Sequence, residues 1–465
     1  MLSHRPTLKM LIKPCKHASR NASLEMVFVE WRIRISTVKA SWVAIQIFAT
    51  GLFHPKIAGH ALALMLLSAC QTLPVTQHPS IHLGIEIRSV ASGKVIYSQN
   101  ADQPFIPAST VKLLTIATAL AKLGPSYRFR TDVFYDGNLY LKGSGDPSFS
   151  LHDLDNLAAQ IKQLAPGPIQ DLVLDSSVFD QDLYGQDWLP EDFSFAYSAP
   201  VSGINLNLNR LILTFLPNGK ILLDPLAFFI QLEQKGRRFK LKGPGIEIED
   251  TLPIENQIRY KSYAIKNPEK WALALFQESL KRFGIQVKGK LRIGFVPSGL
   301  STLTDHHSPL LSQMLINYTK FSNNLAHEAL LKTLGHGSFQ KGLEIVRTFT
   351  RIQGIVDGSG LSRSNRVTPT EMTQFLLREA QNFQISPELM ASLPIAGKDG
   401  TLKSRLIGNA ATNHLRAKTG TMKGVRALAG YFLSQSGNLC AFSAFTNHLH
   451  PNAFDRHIDS LLKNL

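Results

Sequence analysis

Cysteine is almost missing from this chain of 465 residues, where only Cys15, Cys70 and Cys440 are present. With the N-terminal processing argued below, Cys440 is left as the one ordinary thiol, so no intramolecular disulfide framework is expected. Cys440, in the apolar run Leu439-Cys440-Ala441-Phe442, reads as a small buried hydrophobe. Long apolar runs are lacking too: those at 42–53 and 57–69 fall short of the ~20 residues a membrane-spanning helix needs. Short-period repeats and low-complexity tracts are absent, which excludes a solenoid or a disordered chain. No recognised nucleic-acid motif accompanies the basic residues, so no nucleic-acid partner is expected. A metal or cofactor is not expected either. His448 and His450 share a strand face without a third ligand, and His306-His307 sits in what reads as a polar linker.

Acidic residues are in deficit, with 34 Asp and Glu against 50 Lys and Arg and a formal charge of +16. Residues 1–69 hold nine Lys/Arg and two Glu, so +7 resides there and +9 in the remainder. One small cluster, Lys235, Arg237, Arg238, Lys240 and Lys242, reads as a solvated face or an attraction for an acidic polymer. With 44% hydrophobic and 18% charged residues, the composition is globular, and the length allows two or three domains at ~150 residues each.

Residues 1–69 read as a leader. The apolar segment 57–69 follows Lys56 and suits the core of a signal peptide. Leu67-Ser68-Ala69-Cys70 resembles a bacterial lipobox, which makes Cys70 a candidate lipidation site; a plain secretory cut near Ala69 is the alternative. Export is the expectation, to a bacterial periplasm, with membrane contact through the possible anchor. Met26 is a possible later start, and 42–53 a competing signal core.

The stretch Pro107-Ala108-Ser109-Thr110-Val111-Lys112 organises the rest. It leads into an apolar run (Leu113, Leu114, Ile116, Ala117, Ala119, Leu120) that predicts a buried helix ended by Gly124-Pro125. Helical positions i and i+3 share a face, so Ser109 and Lys112 are expected side by side. A lysine turned inward on an apolar helix is costly unless it has a task.

Ser-x-x-Lys alone says little, for it also occurs at Ser36, Ser338 and Ser460. Only the Ser109 copy precedes Ser322-Asn323-Asn324 and then Lys418-Thr419-Gly420-Thr421, the order used by penicillin-interacting serine enzymes. The pattern predicts a β-hairpin over 81–98, strands within 127–141 and 169–178, and an amphipathic helix over 151–164. A strand-rich middle (195–260), a helix from Asn267-Pro268, a strand near 290–296 and a polar linker over 298–305 follow. The end reads as helices over 309–334 and 371–380, then three strands within 415–447. The 213 residues between Ser109 and Ser322 exceed what a single helix-and-sheet domain requires, which implies insertion.

From about Ile81 onward the chain resembles the class C low-molecular-mass penicillin-binding proteins, the D-alanyl-D-alanine carboxypeptidase/endopeptidases of the penicillin-binding protein 4 type. Besides the three motifs, the likeness rests on Gly143-Ser144-Gly145-Asp146-Pro147, Asp175 to Asp180, Tyr197 to Ser202 with Asn207-Leu208-Asn209, Asp357 to Arg363, and Leu393 to Leu402. Thr319 stands where the family often has Asn, and His327 where a small residue is usual; both were expected to adjust the pocket wall.

The resemblance implies an α+β fold: a transpeptidase/β-lactamase-like domain, an antiparallel sheet flanked by helices, with large strand-rich inserted domain(s). The implied division is 76–125 with 305–465 as the discontinuous catalytic domain and 126–304 as the insertion. It implies Ser109 as nucleophile, Lys112 as its base and Ser322 as proton relay. Asn324 is expected to bind a substrate amide, and Lys418, Thr419, Gly420 and Thr421 the terminal D-alanine carboxylate. The backbone N–H groups of Ser109 and Thr421 would form the oxyanion hole. Bringing a lysine from about 10.4 to 7 takes about 4.6 kcal/mol, which burial and the second cation, Lys418, are expected to supply. The Asp357 loop reads as a structural turn. Peptidoglycan stem peptides are the implied partners, β-lactams the implied inhibitors, and no cofactor is implied. Two rivals remain at this stage: a β-lactamase or esterase of the same fold, and a non-catalytic penicillin-binding sensor or cell-wall scaffold.

Overall fold

A computed structural model of the chain describes residues 83–253, 257–407, 414–447 and 451–464. The leader, Cys70, His448 and His450 lie outside the described residues. Among the described residues no helix is long and apolar enough to cross a membrane.

The hairpin forms where alternation predicts it. Leu83, Ile85 and Ile87 bury one side of β1 (Leu83–Ser89), and the chain reverses at Gly93 (φ +70°) into β2 (Val95–Gln99). Ala108–Val111 then makes a 3₁₀ turn, and α1 (Lys112–Leu123) begins at the lysine itself. All residues from Lys112 to Leu120 are buried, and Gly124, at φ +83°, stops the helix.

The next region builds its own core. Strands β3 (Arg130–Tyr135) and β4 (Leu139–Lys142) flank the Asp136-Gly137-Asn138 turn. Helix α2 (Leu151–Leu164) starts at a capping box in which Ser150 and Asp153 exchange hydrogen bonds, and buries Leu154, Leu157, Ala158 and Ile161. After β5 (Leu172–Asp175) come β6 (Arg210–Phe215), β7 (Ile221–Asp224), β8 (Gln231–Lys235), β9 (Arg238–Gly243), β10 (Ile246–Thr251) and β11 (Arg259–Ala264). Helix α3 (Pro268–Arg282) is capped by Asn267, whose side chain accepts from the Lys270 N–H. Strands β12 (Leu291–Ile293) and β13 (Thr302–His307) complete a five-stranded sheet ordered β12-β5-β4-β3-β13, beside three-stranded sheets β10-β9-β8 and β11-β6-β7. One hydrophobic cluster, including Leu141, Leu157, Leu213 and Trp271, joins these parts.

Helices α4 (Leu311–Lys320), α5 (Asn324–Leu334), α6 (Phe339–Thr350), α7 (Pro369–Ala380) and α8 (Ser386–Ser392) follow. The described chain ends with β14 (Leu415–Met422), β15 (Val425–Leu433), β16 (Leu439–Asn447) and α9 (Pro451–Asn464). The main sheet is antiparallel throughout and ordered β14-β15-β16-β1-β2, so the first hairpin pairs with the last strand. Its two faces separate with period two. Ala427, Ala429 and Tyr431 share a core with α1, α5 and α7, while Leu428 and Phe432 pack with Ile85, Phe442 and, from α9, Phe454 and Ile458. Each fully buried Leu or Ile there contributes about 1.5–3 kcal/mol.

Two sequence readings are corrected. Residues 302–307 are an edge strand paired with β3, not a linker, because alternate polar side chains suit a sheet edge with a single neighbour. His306 and His307 therefore lie in that strand, His306 half-buried against Phe149. The basic cluster around β8 and β9 is solvated, with Lys235, Arg237 and Arg238 exposed and Lys240 and Lys242 paired with Glu247 across β9 and β10. The stretch 309–334 is not one helical run: it breaks at Ser322, whose φ of +57° no helix interior tolerates.

Candidate active site

The 3₁₀ turn lifts Ser109 to half exposure while Lys112, three residues on, is fully buried. Ala108 sits at φ +46°, and its carbonyl is met so closely by Gly360 that a Cβ there would come within 1.9 Å. Gly360, at φ +78°, is thus required both for its own conformation and for its approach to the serine turn.

Three acceptors surround the Lys112 ammonium: Ser109 Oγ at 2.9 Å, Asn324 Oδ1 at 2.6 Å and the Ser359 carbonyl at 2.5 Å. Two of them, an amide oxygen and a backbone carbonyl, can only accept. A neutral Lys112 has two N–H bonds for those two and one lone pair left over. The remaining partner is the Ser109 hydroxyl, which can turn and donate to it. Burial is the larger influence on this lysine and lowers it to about 7, against the nearby carboxylates Asp357 and Glu328, which raise it.

Ser322 joins the site from the break between α4 and α5. Its Oγ accepts from Lys418 Nζ at 2.8 Å, and Lys418 also donates to the Thr419 carbonyl at 2.8 Å. Lys418 is fully buried, and burial followed by the nearness of Lys112 drives it well below an ordinary lysine. Of the two influences expected to depress Lys112, burial and Lys418, burial is the one that acts on it. Burial dominates at Lys112, and the repulsion between the two lysines bears on Lys418.

Asn324 has a task besides the one expected: its Oδ1 holds Lys112 and its Nδ2 donates to the Tyr197 carbonyl at 2.7 Å, so both ends of the amide orient the site. On β14, Gly420 is buried against the serine turn: a Cβ would fall 2.9 Å from the Pro107 carbonyl oxygen and 3.0 Å from Ala108 Cβ. Thr419 Oγ1 donates to Thr401 Oγ1 at 2.7 Å, and the Arg426 guanidinium donates to Thr421 Oγ1. Thr319 and His327 are fully buried rather than part of an exposed wall. His327 Nδ1 lies 2.6 Å from the Asn323 carbonyl, and burial holds this imidazole well below its usual range.

The Asp357 loop is the structural turn expected. Its carboxylate accepts from Trp188 Nε1 (3.0 Å), the Gly360 N–H (2.8 Å), the Ser362 N–H (2.7 Å) and Asn365 Nδ2 (2.9 Å).

Several residues escaped the sequence reading. Tyr197 and Ser359 act through backbone carbonyls, for which no side chain gives a signal. Thr401 and Arg426 are ordinary residues made relevant by β14 and its neighbours. Glu328 did leave a trace: it stands one turn after Asn324 on a helix face it shares with the apolar Leu325 and Leu331. It is fully buried, and one of its carboxylate oxygens accepts from the Gly358 N–H (3.0 Å) and the Ser359 N–H (2.8 Å).

Comparison with known proteins shows which family and fold the chain shares. Residues 73–465 match the model of the D-Ala-D-Ala carboxypeptidase 3 (S13) family. A D-alanyl-D-alanine carboxypeptidase from Actinomadura sp. (strain R39) is 32% identical over 417 residues, spanning 78% of this chain and 77% of the relative. The crystal structure of penicillin binding protein 4 from Haemophilus influenzae superposes with a TM-score of 0.70 at 27% identity, over 82% of this chain and 96% of that one. A second crystal structure of that protein holds a β-lactam. A predatory peptidoglycan endopeptidase from Bdellovibrio bacteriovorus, with a TM-score of 0.50 at 15% identity, shares the fold.

Proposed function

The chain belongs to the D-Ala-D-Ala carboxypeptidase 3 (S13) family, and from that premise we propose how its own residues carry out the hydrolysis. It is a serine-type D-Ala-D-Ala carboxypeptidase of the penicillin-binding protein 4 type. The observation that carries the assignment of roles is the three-acceptor cage around Lys112, which leaves only Ser109 to face the lone pair.

In this reading Ser109 Oγ attacks the carbonyl carbon of the penultimate D-alanine while its proton passes to Lys112. The carbonyl π pair moves onto oxygen, and the backbone N–H groups of Ser109 and Thr421 receive the oxyanion. As the tetrahedral intermediate collapses, the C–N bond breaks and the departing D-alanine amine takes a proton from Ser322. Ser322 recovers a proton from the lysine pair, which favours one shared proton over two because like charges in a buried site repel. Water then attacks the ester, with Lys112 again as base, and releases Ser109. Thr419 and Thr421 hold the terminal carboxylate, with Arg426 beside Thr421 adding positive charge. A β-lactam offers the same amide in a ring whose leaving group cannot diffuse away, so it is expected to leave a slowly hydrolysed ester on Ser109.

Cleavage of peptide cross-links as well as terminal D-alanine is part of the proposal. So is the reading of 126–304 as an insertion, supported by its separate sheets and hydrophobic cluster. Export through the leader, with Cys70 as lipid attachment point, rests on sequence alone.

The test is time-resolved labelling of the soluble chain (residues 71–465) by a fluorescent penicillin, beside Ser109→Ala. Stable label lost in the variant is expected, and peptide digests then divide carboxypeptidase from endopeptidase. Rapid turnover of the penicillin makes the chain a β-lactamase. Label without any peptide hydrolysis makes it a sensor, and label independent of Ser109 sinks the mechanism.

A further inference from the structure

Behind Lys112 lies a second buried charge for which the mechanism above has no use. Glu328, on α5, faces Lys112 through the Gly358-Ser359 peptides. The two sides of this link are distinct. Gly358 and Ser359 present their N–H groups to the carboxylate, with Gly358 N–H also 3.1 Å from its other oxygen. Their carbonyls point the other way, onto α1: Ser359 O accepts from Lys112 Nζ at 2.5 Å and Gly358 O from Thr115 Oγ1 at 2.7 Å. One carboxylate therefore fixes two peptide planes, and those planes hold the base.

We propose that Glu328 is a positioning residue for acylation: it holds the Ser359 carbonyl against Lys112, and its charge opposes the loss of the Lys112 proton. The inference rests on Lys112 being the base for Ser109. The groups facing Glu328 are Lys112 from α1, Asp357 from the loop, and Lys332 from its own helix. Lys332, one turn on, is ion-paired to Asp180 at 2.5 Å. Burial first, and Asp357 after it, push this carboxyl above its usual range, against the two N–H groups and Lys112. Lys112 and Glu328 interact across the Ser359 peptide, so they titrate as a pair.

The sign follows from which form acts. Acylation needs neutral Lys112, so its rate climbs with pH as the lysine loses its proton. An anion at Glu328 stabilises the ammonium and delays that loss. Glu328→Gln keeps the shape and an acceptor for both N–H groups but removes the charge.

The experiment measures penicillin acylation from pH 5 to 10 in the soluble chain, Glu328→Gln and Glu328→Asp. Glu328→Gln is expected to move the acid limb about one pH unit lower. Glu328→Asp keeps the charge but withdraws it by one methylene, so the limb should stay in place while the plateau falls about tenfold or more. A residue with a purely structural task would lower both plateaus and leave both limbs where they are; that result overturns the inference. So does a wild-type profile in both variants. Should Glu328→Gln fail to fold, as judged by its thermal melt, an undiminished plateau in Glu328→Asp is enough to overturn it. Ser109→Ala separates the two levels. If label persists there, the assignment of Ser109 and Lys112 fails first, whereas unmoved limbs with label lost in Ser109→Ala refute the role of Glu328 alone.

Discussion

Gly420→Ala is the substitution most directly decided by the geometry. The added Cβ would lie 2.9 Å from the Pro107 carbonyl oxygen and from Ala427 Cβ, and 3.0 Å from Ala108 Cβ. Comfortable contact needs about 3.5–4.0 Å, so β14 and the serine turn must part by about 0.6–1 Å. The turn cannot yield cheaply. Pro107 O already accepts from the Thr110 N–H and from its Oγ1, and Ala108 is wedged against Gly360. The strand yields instead, and it carries the Thr421 N–H out of reach of the developing oxyanion. Loss of one such donor costs about 10²–10³ in rate, or ~3–4 kcal/mol. Stopped-flow acylation with a fluorescent penicillin reads the loss directly, and a thermal melt checks that the β14–β15 ladder persists. If Gly420→Ala acylates within about threefold of the wild type while remaining folded, the proposed role of this strand in the oxyanion hole is wrong.

The acylation rate should rise with pH through a limb near 7, set by Lys112, and a stopped-flow pH profile with no limb between 6 and 8 would contradict that assignment. Lys112→Met should abolish acylation yet melt no lower than the wild type at pH 7. A lysine depressed from 10.5 to about 7 costs the fold up to about 4–5 kcal/mol at and below pH 7, a cost that fades as pH rises toward 10.5. Part of that gain is offset by the unpartnered Ser359 and Asn324 oxygens, at about 1–3 kcal/mol each. Asp357→Ala strands four buried donors and should lower unfolding free energy in urea by ~4 kcal/mol or more; a loss below ~1 kcal/mol would refute the network. Thr401→Val frees the Thr419 hydroxyl proton, otherwise donated to Thr401, for the substrate carboxylate and should lower KM for D-Ala-D-Ala peptides by about three- to tenfold with little change in kcat.

Local signals in the sequence were strong wherever a residue speaks for its own backbone. Ser150 with Asp153 and Asn267 with Pro268 mark helix starts that the structure reproduces. The order of the three motifs foretold which distant segments meet. What stayed hidden depends on neighbours. Ser322 interrupts a helical pattern through a left-handed residue, which its own chemistry does not announce. Strand β13 looks polar because it borders a single strand. Asn324 turns out to serve Lys112 because the Tyr197 carbonyl, from the far side of the site, holds its other end. The depression of Lys112 by burial required knowing how completely α1 is covered.

The pairing of β1 with β16 sets an order of events during synthesis. The nucleophile is made early and stands in a segment whose sheet neighbours are the last strands to be made. A nascent chain that has not yet reached β14 possesses Ser109 and Lys112 but neither Lys418 nor the strand that borders the serine turn. Such a chain is chemically mute. The tail closes the sheet begun by the head, so a chain truncated before residue 415 is expected to leave Ser109 unlabelled by a fluorescent penicillin.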